Sequence, residues 1–192
     1  MKLVNAWELA AAAVHAHHAI QQQEELAQLI EMAQWLDPKV IVEIGCDAGG
    51  TLWVWKQVAR TVYGITLPVS PPGQGLFPQG EHPLETHGAE VWLGDSHDAT
   101  AQHWLRAQLA GRPVDFLFID GDHSPAGVLA DYHSYGHLVR PGGIIALDDV
   151  ANPDLDVSAA WERITAALPR SEYLTIKAGD MPAGIGLVRA GS

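Results

Sequence analysis

The sequence has little cysteine and no long apolar run, and each of these absences excludes a class of protein. Cys46 is the one cysteine among 192 residues, so an internal disulfide is impossible, which fits the reducing cytoplasm. No apolar run approaches the roughly 20 residues that a membrane-spanning helix needs. Near the first residues, Asn5 and Glu8 interrupt the apolar core that a secretory signal would require. We therefore expect a cytoplasmic protein with no membrane partner.

Basic residues are also scarce. The chain has 11 lysine and arginine residues against 23 acidic residues, which gives a formal net charge of −12. Such a surface repels phosphate backbones, and the basic residues are scattered singly instead of forming a patch. Nucleic acid is therefore not expected as a substrate, and the ordinary interpretation of the acidity is solubility.

The length and the composition are typical of one globular domain. Hydrophobic residues make up 47% of the chain and charged residues 18%, and 192 residues can enclose one substantial core. We therefore treat residues 1–192 as a single domain that starts with a helical segment at 1–36. The oligomeric state is left open, and a homo-oligomer is compatible with the sequence.

Strand and helix patterns alternate along most of the chain. Residues 5–36 have helical spacing, in one or two pieces, until Pro38 ends the pattern. Strands are predicted at 40–44, 61–65, 90–93, 114–119 and 144–147, and helices at 51–60, 99–109, 125–138 and 158–168. Residues 173–177 and 185–189 predict a hairpin at one edge. This order favours an α/β, doubly wound, seven-stranded and mostly parallel sheet whose last strand pair is antiparallel.

Residues 67–88 interrupt this alternation. Five prolines and three glycines lie between Leu67 and Gly88, so a helix is excluded there: Pro68, Pro71, Pro72, Pro78, Pro83, Gly73, Gly75 and Gly80. It leaves the carboxyl-end edge of the sheet, where α/β proteins bind ligands. Two interpretations stay open, a binding loop or lid and a tolerated insertion.

A glycine-rich turn joins the first predicted strand to the following helix, from Glu43 to Thr51. Gly45 permits a tight turn, and we expect Gly49 and Gly50 to let a ligand approach the backbone closely. The free N–H groups at the start of the helix favour an anion such as a carboxylate. The turn therefore predicts a site for a nucleotide-like ligand.

Two classes of enzyme place glycines at this position. A dinucleotide-binding domain has G-x-G-x-x-G, and here Asp47 stands where the second glycine would fall. A methyltransferase instead has an acid at the strand end, which Glu43 supplies. The turn resembles the first motif of class I methyltransferases, in particular the catechol O-methyltransferase group. A nucleotide-dependent oxidoreductase remains the less favoured alternative.

Two later strands end in carboxylates. Asp120 follows the run 114–119, and Asp148 and Asp149 follow the run 144–147, so all three should meet at the edge that holds the glycine turn. Converging carboxylates repel one another unless a cation neutralises them, and oxygen ligands suit Mg²⁺, Ca²⁺ or Mn²⁺. Alternatively, Asp148 and Asp149 point to opposite sides and one caps the next element. His123 can accept a proton from a substrate hydroxyl near neutral pH.

The two acidic segments resemble the metal-dependent O-methyltransferases related to catechol and caffeoyl-CoA O-methyltransferases. The phrase at 118–123, Phe-Ile-Asp-Gly-Asp-His, is similar to the bacterial branch with macrolide-sugar and cephalosporin-tailoring enzymes. The resemblance covers about residues 24–164. It implies methyl transfer from S-adenosylmethionine to a hydroxyl of a small-molecule acceptor, assisted by a divalent metal, first of all Mg²⁺.

The resemblance also implies roles for single residues. Asp120, Asp148 and Asp149 fall on the metal ligands, and His123 falls where plant and animal members carry a catalytic lysine, with Asp120 beside it. The loop 94–97 matches the one that holds adenine. The residues that the resemblance assigns to the cofactor are Glu43, Gly45, Asp47, Gly49, Thr51, Thr66, Asp95, Ser96, His97 and Asp120.

Thr66 departs from the family pattern. The family usually carries an acid at this position for the ribose hydroxyls, whereas a threonine makes only one such hydrogen bond. The segment 67–88 likewise replaces an expected helix. These departures keep a second hypothesis open, a non-catalytic or cofactor-impaired binding protein with the methyltransferase fold.

Overall fold

The computed structural model describes residues 4–68, 82–178 and 183–191. The strands are β1 Val40–Ile44, β2 Thr61–Thr66, β3 Glu90–Leu93, β4 Val114–Ile119, β5 Val139–Leu147, β6 Tyr173–Ile176 and β7 Ile185–Arg189. The helices are α1 Ala6–Ala16, α2 Gln23–Leu36, α3 Gly50–Val58, α4 Ala99–Leu109, α5 Pro125–Tyr135 and α6 Val157–Thr165. Two 3₁₀ turns, Gly136–Leu138 and Arg170–Glu172, precede β5 and β6.

The seven strands form one sheet in the order β3-β2-β1-β4-β5-β7-β6. The pairs among β1 to β5 are parallel, whereas β7 is antiparallel to both β5 and β6. The predicted fold class is therefore confirmed, including the antiparallel last pair. The chain reverses its direction of travel across the sheet between β1 and β4, and α/β proteins bind ligands at the carboxyl ends of such a pair.

The central strands are apolar throughout because helices cover both faces of the sheet. Every residue of β1 and of β4 is buried. On one face, α1, α2 and α3 contribute residues such as Leu26 and Trp55 to the core. On the other face, α4, α5 and α6 contribute residues such as Leu105, Val128 and Ile164.

The helical segment at the start of the chain is two helices. Asn5 caps α1 by accepting hydrogen bonds from the amides of Trp7 and Glu8. Residues 17–22, the α1–α2 connector, separate α1 from α2, and Asp37 ends α2 in a left-handed conformation just before Pro38. None of the helices in the described ranges combines the length and hydropathy that a membrane crossing requires.

Several predicted boundaries were wrong by a few residues. The helix predicted at 51–60 is Gly50–Val58, and α6 ends at Thr165, three residues before the predicted end. The predicted helix 125–138 ends as α-helix at Tyr135 and closes with a 3₁₀ turn. The strand predicted at 144–147 begins at Val139, because Val139 already pairs with Val114 and a bulge absorbs the glycines that follow.

Much of the proline-rich segment 67–88 lies outside the described residues, which stop at Pro68 and resume at 82. Residues 82–88, which we call segment 82–88, are described and contain no helix. The Glu85 amide donates a hydrogen bond to the carbonyl of Ala48 at 3.0 Å. Segment 82–88 therefore lies directly against the glycine turn.

Candidate active site

The carboxyl ends of β2, β1, β4 and β5 bring the predicted site residues to one edge of the sheet. Backbone hydrogen bonds continue the ladder past the strands: Gly45 N–H donates to Ile65 (2.8 Å) and Asp120 N–H to Ile44 (2.8 Å). The Asp148 N–H donates to the Ile119 carbonyl at 3.0 Å. The glycine turn and the two acidic segments are therefore neighbours, as the sequence predicted.

Gly45 has to be glycine because the loop after β4 crosses it. Its φ is +85°, a left-handed conformation, and a Cβ at this position would lie 1.9 Å from the carbonyl oxygen of Asp120. This contact joins the glycine turn to the first acidic segment. The two motifs that the sequence suggested separately therefore form a single structural unit.

The chain itself fills the space beside the other two glycines of the turn. Gly49 has φ +92°, and a Cβ there would lie 2.0 Å from the Glu85 carbonyl oxygen. A Cβ on Gly50 would lie 2.4 Å from the Ala19 amide nitrogen. We expected Gly49 and Gly50 to leave room for a ligand. On the side where a Cβ would project, that room is instead occupied by segment 82–88 at Gly49 and by the α1–α2 connector at Gly50. A role of Gly49 toward the cofactor through its backbone stays a prediction.

Glu43 is fully buried beneath the turn, with one oxygen lacking a partner. The Thr51 hydroxyl donates to Oε1, whereas Oε2 accepts no hydrogen bond from any described residue. Burial raises the pKa of Glu43 to about 8, against the hydrogen bond from Thr51 and with the negative charge of Asp120 adding to the rise. An N–H donor would satisfy this oxygen, either the buried indole of Trp55, which also lacks an acceptor and lowers the pKa of Glu43, or the amino group of a ligand such as S-adenosylmethionine.

Asp120, His123 and Asp149 come together at the ends of β4 and β5. Each offers one ligand atom, and these atoms lie within 4.8 Å of one another. His123 Nε2 is 3.2 Å from Asp120 Oδ1, and Asp149 takes a left-handed φ of +59°. Carboxylate oxygens suit Mg²⁺ or Mn²⁺, so these donors fit the divalent metal that the resemblance implies.

Asp148 adjoins that group of three but is not among the residues whose ligand atoms all lie within 4.8 Å of one another. Its Oδ2 accepts a 3.3 Å hydrogen bond from Nε2 of Gln21, which also donates to Asp120 Oδ2 at 2.6 Å. Asp149 Oδ1 accepts instead from Asn152 at 3.0 Å. The two adjacent aspartates therefore have different hydrogen-bond partners. This finding agrees with the alternative interpretation, in which their side chains point to opposite sides. Asp148 as a metal ligand stays a prediction.

The acids of the site hold protons more tightly than usual. Burial raises the pKa of Asp120, while the hydrogen bond and the charge of His123 oppose that rise. Burial and the charges of Asp120 and Asp149 likewise raise the pKa of Asp148. The hydrogen bond to Asp120 raises the pKa of His123, although burial acts in the opposite direction. The neutral imidazole expected from the sequence therefore requires a cation that relieves this negative charge.

The predicted adenine loop is fastened to α5. The His97 amide donates to Asp95 Oδ1 at 2.9 Å, and the Tyr135 hydroxyl donates to the Ser96 carbonyl at 2.5 Å. His97 Nε2 lies 3.5 Å from Oδ1 of Asp131, a fully buried acid. Burial raises the pKa of Asp131 to about 6, against opposing effects of Ser96 and His97.

Sequence reasoning missed Asp131, Tyr135 and Gln21. Asp131 and Tyr135 are four residues apart and lie on the buried side of α5, so a polar residue within an apolar helical stripe was the available signal. Gln21 precedes two more glutamines and two glutamates, a run that is typical of a solvated surface. Its contacts with residues 99 and 127 positions away leave no local signal.

Two predicted cofactor residues have few contacts in the described structure. Thr66 ends β2 opposite Leu93, and its carbonyl accepts a hydrogen bond from Gly94 at 2.8 Å. Thr66 therefore lies at the carboxyl end of β2, joined to the first residue of the predicted adenine loop, and its role toward a ribose stays a prediction. Asp47 is exposed at the tip of the glycine turn, with a φ of +42°.

A comparison with known families agrees with this geometry. A family model described as a methyltransferase domain matches residues 42–150, more than half of the chain. The chain belongs to this methyltransferase family. The matched range begins in β1, ends just after Asp149 and includes the glycine turn, the adenine loop and both acidic segments. The predicted methyltransferase class is therefore confirmed.

Several solved methyltransferases share the fold. The mycinamycin-pathway enzyme MycE, in complex with Mg, SAH and mycinamycin VI, superimposes with a TM-score of 0.64 at 16% identity over 98% of this chain. The chain spans 55% of the length of MycE. The calicheamicin methyltransferase CalS11 gives a TM-score of 0.60 at 17% identity, over 98% of this chain and 92% of CalS11.

A similarity in sequence extends to a viral protein of unassigned role. An uncharacterised protein of Acanthamoeba polyphaga mimivirus is 28% identical over 168 residues, which covers 85% of this chain and 73% of the viral protein.

A further solved structure shares the fold. An O-methyltransferase from Bacillus cereus, in complex with SAH, gives a TM-score of 0.58 at 20% identity over 97% of this chain and 91% of the Bacillus chain.

Proposed function

We propose that this protein transfers a methyl group from S-adenosylmethionine to a hydroxyl of a small molecule, with the help of a divalent cation. The observation that carries the proposal is the meeting of Asp120, His123 and Asp149 within 4.8 Å, beside the glycine turn. A base and two cation ligands then stand together next to the predicted cofactor site. MycE with Mg and SAH, and CalS11 as a TDP-rhamnose 3′-O-methyltransferase, support this choice of chemistry.

The reaction forms a C–O bond and breaks the methyl–sulfur bond, and the hydroxyl proton must leave. S-adenosylmethionine supplies an electrophilic methyl group when bound, and a divalent cation lowers the pKa of an oxygen that it binds. His123 accepts the proton at Nδ1, because its Nε2–H donates to Asp120 Oδ1 across 3.2 Å. Asp120 orients this imidazole through Oδ1 and stabilises the imidazolium that forms.

His123 Nε2 donates to Asp120 and therefore has no lone pair for a cation. We therefore assign the cation to the carboxylates, because Mg²⁺ prefers oxygen ligands. Asp120 and Asp149 would hold it, with Asp148 beside them. Glu43 and Thr51 would bind the amino-acid end of S-adenosylmethionine, and residues 95–97 its adenine.

The acceptor is proposed as a small molecule in part on charge. An rRNA methylase from Streptococcus thermophilus shares this fold with a TM-score of 0.61 at 11% identity, so the fold alone does not choose the acceptor. The net charge of −12 opposes binding of a phosphate backbone. We propose a cytoplasmic location because the single cysteine fits a reducing compartment.

The test is an assay of product formation. The purified protein is incubated with S-adenosylmethionine, Mg²⁺ and a panel of sugars, macrolides and catechols, and the demethylated product SAH is measured by mass spectrometry. We expect SAH to form with at least one hydroxyl acceptor, and we expect no SAH to form when a chelator removes the Mg²⁺. Full turnover in excess chelator would remove the cation from the proposal.

A second candidate is a binding protein with impaired catalysis, and Thr66 favours it. With threonine at the position of the usual ribose-binding acid, cofactor affinity would be low. A protein that binds S-adenosylmethionine but forms no SAH with any acceptor would support this candidate.

A further inference from the structure

The α1–α2 connector is held against the site from two sides. The His17 ring stacks on Trp53 of α3, with centroids 4.2 Å apart, and meets the His87 ring edge-on at 5.2 Å. The Ala19 amide donates to the Ala13 carbonyl at 2.9 Å, and Ala19 packs against the backbone of Gly50. The connector is therefore fixed in place just before Gln21.

Gln21 carries this connector into the acidic site. Its side chain is buried, and its Nε2 lies 2.6 Å from Asp120 Oδ2 and 3.3 Å from Asp148 Oδ2. The amide nitrogen faces these two oxygens and is within hydrogen-bond distance of both. Asp120 is thus held on both sides, by Gln21 at Oδ2 and by His123 at Oδ1.

A donor in this position determines where the carboxylates stand. One donor, Gln21 Nε2, joins Oδ2 of Asp120 and Oδ2 of Asp148, at 2.6 and 3.3 Å, and so fixes the spacing of the two side chains. Carboxylates that bind metals are usually oriented by outer hydrogen-bond donors of this kind, and losing such a donor costs about 10- to 100-fold in metal affinity.

We propose that Gln21 is a positioning residue for divalent-cation binding: its amide holds the carboxylates of Asp120 and Asp148 in register, and the α1–α2 connector is thereby part of the acidic site. The inference rests on the proposed function, because it requires that these acids bind a cation. Gln21 itself donates only through Nε2 and takes no part in proton transfer.

The test is the affinity for Mn²⁺, measured by electron paramagnetic resonance on the full chain without cofactor or acceptor. We expect Gln21→Ala and Gln21→Met to bind Mn²⁺ about 10- to 100-fold more weakly than the wild type. Methionine keeps the length and volume of glutamine, so Gln21→Met tests the lost donor even if the alanine variant fails to fold. Gln22→Ala is the matched control, because Gln22 is the next glutamine and its side chain makes no capping hydrogen bond.

The outcomes separate this inference from the proposed function. Weaker Mn²⁺ binding by Gln21→Met, with an unchanged S-adenosylmethionine titration and wild-type binding by Gln22→Ala, supports the positioning role. Unchanged or tighter Mn²⁺ binding by Gln21→Met overturns the inference alone. Parallel losses of Mn²⁺ binding, S-adenosylmethionine binding and melting temperature also overturn it, because Gln21 would then be merely structural. If the wild type binds no Mn²⁺, the proposed cation and this inference fail together.

Discussion

His123 and Asp120 contact each other across one turn of chain, with Nε2 of His123 3.2 Å from Oδ1 of Asp120. Local hydrogen bonds fix the loop that carries them: the Ser124 amide donates to Asp122 Oδ1 at 2.8 Å, and Ser124 Oγ accepts from Gly127 as the cap of α5. The imidazole is therefore held at the acidic site by rigid neighbours, as a general base requires.

Replacing the proposed base should reduce turnover and leave cofactor binding intact. We expect His123→Ala to lower turnover by about 10² to 10⁴-fold, because a general base typically contributes that much. The affinity for S-adenosylmethionine, measured by calorimetry, should be unchanged. His133→Ala removes an exposed histidine of α5 and serves as the control. A folded His123→Ala protein with near-wild-type turnover would show that another group takes the proton.

Glycine 49 should be required for packing as well as for conformation. Gly49→Ala and Gly88→Ala both place a side chain at positive φ, +92° and +84°, at a cost of about 1–2 kcal/mol each. Only the alanine at 49 would also meet the Glu85 carbonyl, since nothing lies within 4 Å of a Cβ at 88. We expect the larger loss of unfolding free energy for Gly49→Ala in urea denaturation. Equal losses would mean that segment 82–88 does not pack on the turn.

The free energy of unfolding should vary with pH in the acid range because of Asp115. Its Oδ1 accepts from Arg140 at 2.5 Å, and its Oδ2 accepts from the amides of Lys39 and Val40 at 2.7 and 2.9 Å. Burial alone would raise the pKa of Asp115, but the hydrogen bonds from Arg140, Val40 and Lys39 outweigh it and leave this pKa below its ordinary value.

A carboxyl group whose pKa is lowered by folding stabilises the fold at pH values above its pKa in the unfolded chain, which is about 3.9 for aspartate. This stabilisation is lost as the pH falls through the pKa of the folded state. We expect Asp115→Asn to unfold about 2 to 3 kcal/mol more easily at neutral pH, because it loses hydrogen bonds to a charged group. The difference from the wild type should shrink below about pH 4. Urea titrations at several pH values measure it, and a difference independent of pH would contradict the assignment.

Thr66 should limit cofactor affinity. Thr66→Asp restores an acid that can accept hydrogen bonds from both ribose hydroxyls, so we expect tighter binding of S-adenosylmethionine by calorimetry. Thr86→Asp adds the same charge at an exposed position and controls for it. Weaker or unchanged binding by Thr66→Asp would place the ribose elsewhere.

The parts of the site that local patterns determine were predictable, and those that depend on distant contacts were not. Val40–Ile44 and Val114–Ile119 are continuous apolar runs, so their burial and the convergence of Glu43 and Asp120 follow from the strand pattern. The roles of Gly49 and Gln21 depend on segment 82–88 and on contacts up to 127 residues apart. Periodicity contains no information about such pairs, and the function of a polar side chain depends on what the fold places opposite it.

The central claim is that the chain binds S-adenosylmethionine at the turn that starts with Glu43. Calorimetric titration of the purified protein with S-adenosylmethionine tests it most directly, with Glu43→Gln measured in parallel. We predict saturable binding at one site per chain in the wild type and weaker binding in Glu43→Gln, because glutamine has one accepting oxygen in place of the two of a carboxyl group, and Thr51 already donates to it. A wild type that binds none, or a folded Glu43→Gln protein that binds as tightly as the wild type, would contradict the account.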